Sequence, residues 1–296
     1  MKKSILVIAC LSGASLFGQN FVFNDSFADG DRIDGVDAND TNWYTTTSSQ
    51  AIEVSTGSLG LVSGTSGRGI HTVVTPQALA QTGDSLTLRF TFTTPATVGT
   101  SKSSSVRFGF FNSNGAAVAQ DYTSSTDSAW DVVSGYMMDW DVGTGSENIS
   151  FRQRNDPTGI GGNDRLLGTT SFFTSLSDGG GAYSFTANTT YNGLLQIAMT
   201  GASELTLTGT LADASDVTLS TFSAAVSTDL ETTFDLVGLH VNSNVFGSSS
   251  SPGDPDNGID FSNISLEVVP EPSTVSFVMG GLVLAGMMIR RVRRRR

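Results

Sequence analysis

Leu86, Leu88, Phe90 and Phe92 alternate with Ser85, Thr87, Arg89 and Thr91, and this period of two recurs along the 296-residue chain. It returns at Val106, Phe108 and Phe110, at Leu195, Ile197 and Met199, at Leu205 and Leu207, at Leu239 and Val241, and at Ile264, Leu266 and Val268. Successive side chains on a strand point to opposite faces, so each run predicts a strand with one face on a core and the other in solvent. Turn-forming clusters punctuate the runs, among them Gln81-Thr82-Gly83-Asp84, Asn112-Ser113-Asn114-Gly115 and Asp178-Gly179-Gly180-Gly181. No stretch of the body sustains a 3.6-residue period; Pro76 to Ala80 have room for a single helical turn. A dozen or more short strands without an internal repeat predict an all-β domain of two packed antiparallel sheets, a jelly-roll sandwich.

The two ends follow other rules. Lys2 and Lys3 precede an apolar run from Ile5 to Phe17, then small residues and polar Gln19-Asn20, the pattern of a secretory signal peptide over 1–19. Cys10, the only cysteine, lies inside it, so the remainder of the chain has neither disulfides nor thiolate metal sites. At the other end Val269-Pro270-Glu271-Pro272-Ser273 leads into an apolar segment, Val275 to Ile289, and then into arginines at 290, 291 and 293–296. That order predicts a single C-terminal transmembrane helix over 275–289 whose basic end stays cytoplasmic. Its fifteen residues reach about 23 Å, short of a ~30 Å hydrocarbon core, and snorkelling arginines make up part of the difference.

Proline break, short apolar segment and arginine cluster in series closely resemble the PEP-CTERM sorting signal. The resemblance covers 269–296 and implies a processing partner of exosortase type, an inner-membrane intermediate, and cleavage near 269–273 that leaves the protein at the cell surface or secreted. The domain reading is then signal peptide 1–19, sandwich 20–268 and sorting signal 269–296. The sandwich carries 8 basic and 27 acidic residues, a net charge of −19. Nucleic acid and anionic membrane surfaces are therefore poor partners, while divalent cations, basic surfaces and neutral glycans fit.

A second resemblance spans the body. Asn24-Asp25-Ser26-Phe27-Ala28-Asp29-Gly30, Asn42-Trp43-Tyr44, the strands from Ser85 and Val106, and the closing Gly258-Ile259-Asp260-Phe261-Ser262-Asn263-Ile264 are similar to concanavalin-type and carbohydrate-binding jelly rolls. These often hold a structural calcium between first and last strands, which implies that Asp25 and Asp260 share an ion, with Asp254 and Asp256 in a nearby oxygen-rich loop. Solvated turn acids are the simpler account. Sugar-stacking platforms would come from Trp130, in the polar segment Thr126-Asp127-Ser128-Ala129-Trp130-Asp131, and from Trp140 and Tyr136, which share one strand face.

Catalytic patterns are scarce. The chain has six glutamates and no Glu-x-Asp-x-x-Glu strand of the kind retaining glucanases carry; Asp139 and Asp141 are the nearest approach. Only His71 and His240 are available as a lyase base, and both fall in strand-like runs that suit ordinary sheet histidines. The expectation is an exported, non-catalytic module associated with extracellular polysaccharide. A secreted polysaccharide lyase or glycoside hydrolase with an unrecognised site, and a purely structural surface protein, are the alternatives.

Overall fold

The computed structural model describes residues 20–33, 39–46, 52–61, 67–99, 105–117, 119–122, 124, 126–143, 148–154, 165–243, 245–246 and 258–270. The expected signal peptide and the 275–289 span lie outside these residues. No helix among the described residues is long and apolar enough to cross a membrane.

Fifteen strands and one 3-10 turn make up the body. In chain order they are β1 (Asn20–Asp25), β2 (Tyr44–Thr45), β3 (Ile52–Ser55), β4 (Ser58–Leu61), β5 (Arg68–Ala78), β6 (Ser85–Thr93), β7 (Ser105–Asn112), the turn Ser128–Trp130, β8 (Ser134–Asp141), β9 (Ile149–Arg154), β10 (Thr174–Gly179), β11 (Thr190–Gly201), β12 (Glu204–Asp213), β13 (Thr218–Val226), β14 (Thr233–Val241) and β15 (Ile259–Val269). Every alternating run named from the sequence is a strand. Pro76 to Ala78, with room for a helical turn, instead end β5.

The strands form two antiparallel sheets. Sheet A runs β13-β12-β11-β6-β15-β4-β3 with β1 beside β15, and sheet B runs β10-β9-β8-β7-β14-β5-β2. Successive strands switch sheets, β5 to β6 to β7 and later β13 to β14 to β15, while β14 lies between β5 and β7 and β15 lies against β6. Pairing an early run of strands with a late one in this way is the wrapped connectivity of a jelly roll.

The alternating apolar residues meet between the sheets. Phe90 of β6 stacks on Phe108 of β7 at 3.9 Å between ring centroids, and Trp140 of β8 and Phe261 of β15 close around them. Both hydrophobic clusters lie wholly between Phe23 and Leu266, so residues 20–270 contain their own core.

Sheet A follows the expected rule on its outward face, which displays hydroxyl pairs such as Thr208–Ser223 at 2.9 Å and Thr210–Thr221 at 3.0 Å. Sheet B departs from it. A second apolar cluster covers its outer face: Phe111, Met137 and Leu236 from the strands meet Tyr122, Trp130 and Val133 from the β7–β8 connection and Leu166, Leu167 and Phe173 from the β9–β10 connection. Strand β7 is consequently buried on both faces from Ser105 to Phe111. Gly109 makes room for this arrangement, since a Cβ there would meet the Phe111 ring at 2.5 Å.

Candidate functional site

The roof over sheet B is fastened by buried polar groups. Arg154, at the end of β9, donates from Nε to the Val133 carbonyl at 2.9 Å, from Nη1 to the Arg165 carbonyl at 2.7 Å, and from Nη2 to the Trp130 carbonyl. Its guanidinium also lies 5.8 Å from the Phe172 ring and 5.7 Å from the Phe173 ring. One side chain thus joins the sheet to both covering segments.

In the next polar row β14 pairs with β5 and β7, which sets His240 opposite Gly69 on one side and Arg107 on the other; Arg107 in turn faces Asp139 of β8. Arg107 Nε is 3.3 Å from Asp139 Oδ2, and its Nη1 donates to the Leu167 carbonyl of the roof at 2.8 Å. The second Asp139 oxygen is buried without a hydrogen-bond partner among the described residues. Burial, then the charges of Arg107, Arg165 and Arg68, push the His240 imidazole down to about 3, so it is neutral at ordinary pH. Five of the eight basic residues of 20–268 (Arg68, Arg107, Arg152, Arg154 and Arg165) come from sheet B strands or the roof, although the domain as a whole is strongly acidic. No local pattern in the sequence groups these arginines, because pairing between strands distant in the chain sets them on one sheet.

The aromatic residues expected at a sugar platform are elsewhere than exposed. Trp130 is fully buried, with its ring 4.3 Å from Tyr122 and 5.3 Å from His71. The polar residues around it mislead, because Asp127 caps the 3-10 turn by accepting from the Ala129 N–H at 3.0 Å and turns the indole inward. Trp140 and Tyr136 lie in the core between the sheets, fully covered, and burial raises the Tyr136 phenol to about 12. None of the three offers a ring face to solvent. Both histidines are strand residues, as expected, and His71 is packed among Tyr44, Tyr122 and Trp130. Asp139, named above with Asp141 as the nearest approach to a catalytic carboxylate pair, is the buried partner of Arg107.

The implied calcium pair is also not assembled. In the β1–β15 ladder Asp25 sits opposite Ile264, four residues from Asp260 and so about 13 Å along the strand. Asp25 is turned to other work: Oδ1 accepts the Phe27 N–H and Oδ2 the Trp43 indole N–H, each at 2.8 Å. Burial foremost, then the hydrogen bond its protonated form donates to Asp40, raises its carboxyl to about 7. Asp254 and Asp256 lie outside the described residues. Among the described residues no three His, Cys, Asp or Glu side chains gather as a metal site.

The molecule is thus an all-β, two-sheet antiparallel jelly-roll sandwich with a roofed, cation-rich outer face. Its final strand runs directly into a tail of known type: residues 268–295 match the PEP-CTERM protein-sorting motif. No curated protein sequence matches the chain. Among solved structures it is similar to the basic winged bean lectin bound to Tn-antigen, at 11% identity over 83% of this chain and 97% of that one, with a TM-score of 0.46. The VIP36 exoplasmic/lumenal domain in its Ca2+/mannose-bound form gives 11% identity, 82% and 90% coverage and a TM-score of 0.45. A protein of unknown function from Shewanella oneidensis MR-1 gives 13%, 83% and 85%, and 0.43. These scores describe a loose likeness and say nothing of what this chain binds.

Proposed function

We propose that this chain is exported and sorted by its tail to the cell surface, where the sandwich associates with extracellular polysaccharide without cleaving it. The observation that carries the reading is the sorting motif, which begins at Val268, inside the last core strand β15. Export of the motif implies removal of residues 1–19 and processing by an exosortase-type enzyme near Val269–Ser273, after an inner-membrane intermediate. Binding is favoured over turnover by the state of the ionisable groups on sheet B: Asp139 is tied to Arg107 and Arg154 to roof carbonyls. A general acid or base needs a group free to exchange protons with substrate.

Two measurements test this together. Mass spectrometry of surface material should find the chain ending near Val269–Ser273; intact peptides through Ile289 would mean a plain anchor. A glycan array with residues 20–270, beside reducing-sugar and lyase assays, should give binding and no turnover. Cleavage lost in His240→Ala would make the protein an enzyme, and no binding at all would leave a structural surface protein.

A further inference from the structure

Among the described residues five strands border the two sheets, and four of them are guarded against further pairing. β2 has two residues and β3 has four, too few to template another strand. β10 has six, with its register broken between Ser175 and Ser177. β1 is broken between Phe21 and Phe23, and its Asn24 N–H is taken by the Asn39 carbonyl at 2.6 Å. Short strands, register breaks and covering loops are the usual means by which a protein keeps a sheet edge from pairing with another chain.

β13 is the exception. Thr218–Val226 contains no charged residue, proline or glycine. After one break beside Leu219, its ladder with β12 runs unbroken from Ser220 opposite Leu211 to Val226 opposite Leu205. No strand among the described residues pairs with its other side. The turn after β10 reaches it only near its start, where Ser220 Oγ donates to the Gly181 carbonyl at 3.1 Å. In an antiparallel ladder successive residues turn their N–H and C=O to alternate sides, so every second residue of β13 offers both groups outward. The outer side chains Thr221, Ser223 and Ala225 are short and exposed. Thr221 and Ser223 bond back to Thr210 and Thr208 of β12, so neither shields the open backbone. An uncharged run of β-forming residues on an open edge pairs readily with another extended strand.

The partner must itself present a free edge. In a second copy of this chain the other four border strands are guarded in the same way, which leaves its β13. Two β13 strands related by a two-fold axis run antiparallel, as β12 and β13 already do, and one contact occupies the open edge of both copies, so the assembly closes at two. Charge points to the same place. Two domains of net charge −19 repel, and β13 brings no charge into the contact; the acids flanking it, Asp213 and Asp216 before and Asp229 after, lie beyond its ends.

We propose that the sandwich forms a two-fold dimer by antiparallel pairing of β13 with the β13 of a second copy, centred on Ser223, which joins the two A sheets into one. The inference stands apart from the polysaccharide reading and does not need it.

Sedimentation velocity of residues 20–270 tests it. Monomer and dimer should exchange with concentration, with nothing larger. The dimer fraction should rise with salt, because screening weakens the repulsion between acidic domains and leaves backbone hydrogen bonds in place. Ser223→Lys sets two like charges at the axis and should weaken association at least about tenfold. Ser175→Lys, at an exposed position on β10, should leave association unchanged. Melting curves of both variants at high dilution check that the fold is kept. Cys10 is the only cysteine of the chain, so Ser223→Cys gives residues 20–270 a single thiol. Directly opposed strand residues lie about 4.5–5.5 Å apart at Cα, within reach of a disulfide, so mild oxidation should cross-link Ser223→Cys and not Ser175→Cys. A monomer at every concentration overturns the proposal. So do open-ended oligomers, and so does a dimer that Ser223→Lys leaves intact or that Ser223→Cys fails to cross-link.

Discussion

Sheets A and B share a period-two pattern and meet the same core, yet their outer faces have opposite fates. Sheet A leaves its outer side to paired hydroxyls, such as Thr208 with Ser223 and Thr210 with Thr221, which cost little to solvate. Sheet B lies under a second apolar layer and buries arginine, aspartate and histidine beneath it. A buried charge is tolerated only where its donors and acceptors are met, and Arg154 meets this condition with three roof carbonyls. The lesson is that sheet A draws its stability chiefly from the core, whereas the outer half of sheet B depends on a few polar fastenings.

The largest expected effect follows from removing the main fastening. Arg154→Ala leaves the Val133, Arg165 and Trp130 carbonyls without their donor and should cost about 3 kcal/mol in urea denaturation. Hydrogen exchange should quicken in 126–133 and 165–173 and not in β11–β12. Uniform loosening of both sheets would break the comparison. Crowding the sheet under the roof is the next test. Gly109→Ala places a methyl 2.5 Å from the Phe111 ring and 2.8 Å from the Tyr136 carbonyl, and should cost about 2 kcal/mol. A stability equal to the parent would mean that the roof is loosely seated.

Sheet A has buried acids of its own in Asp25 and Glu267, and Asp25 titrates. Folding raises the Asp25 carboxyl from 3.8 to about 7, so the folded state holds its proton more tightly than the unfolded chain. Stability from this group is complete below about pH 4 and is lost as pH rises toward 7. The lowered His240 acts in the opposite sense, adding stability as pH rises from about 3 to 6.5. Asp25→Asn keeps an oxygen for one N–H and offers an amide to Asp40, so its melting temperature should fall less than the parent's between pH 5 and 8. Parallel pH profiles would show that the shared proton is not held there. The smallest effect belongs to the open face: Thr208→Val with Ser223→Ala should change stability by no more than about 0.5 kcal/mol. A larger loss in calorimetric melting would mean that this face, too, relies on its polar pairs.

Much of the sandwich was legible in the sequence because its strands alternate strictly, and alternation is a local signal. Leu86 to Phe92 and Leu205 to Leu207 declare their faces without reference to anything distant. The roof was not legible, because its contacts join Arg107 to Leu167 and Arg154 to Trp130 across 60 and 24 residues, and no local pattern marks them. Trp130 illustrates the cost: polar neighbours suggested a surface loop, and the capped turn instead drives the ring under cover. Asp25 and Asp260 sit on neighbouring strands as the resemblance implied, and the ladder register alone keeps them apart. Register is set by pairing, which a single strand's sequence does not state.

The pairing of the first strand with the last has a consequence for how the protein is presented. Asn20 lies opposite Val268, and Ser85 opposite Val269, so chain entry, chain exit and the start of β6 share one end of sheet A. Only Leu79 to Asp84 separate that start from the end of β5, which places Arg68, the opposite terminus of β5, at the far end of the sandwich. Eleven strand residues at about 3.3 Å each make that separation roughly 35 Å. Val269, where the chain leaves the sandwich, and the row of Arg68, Arg107 and His240 therefore lie at opposite ends of the domain.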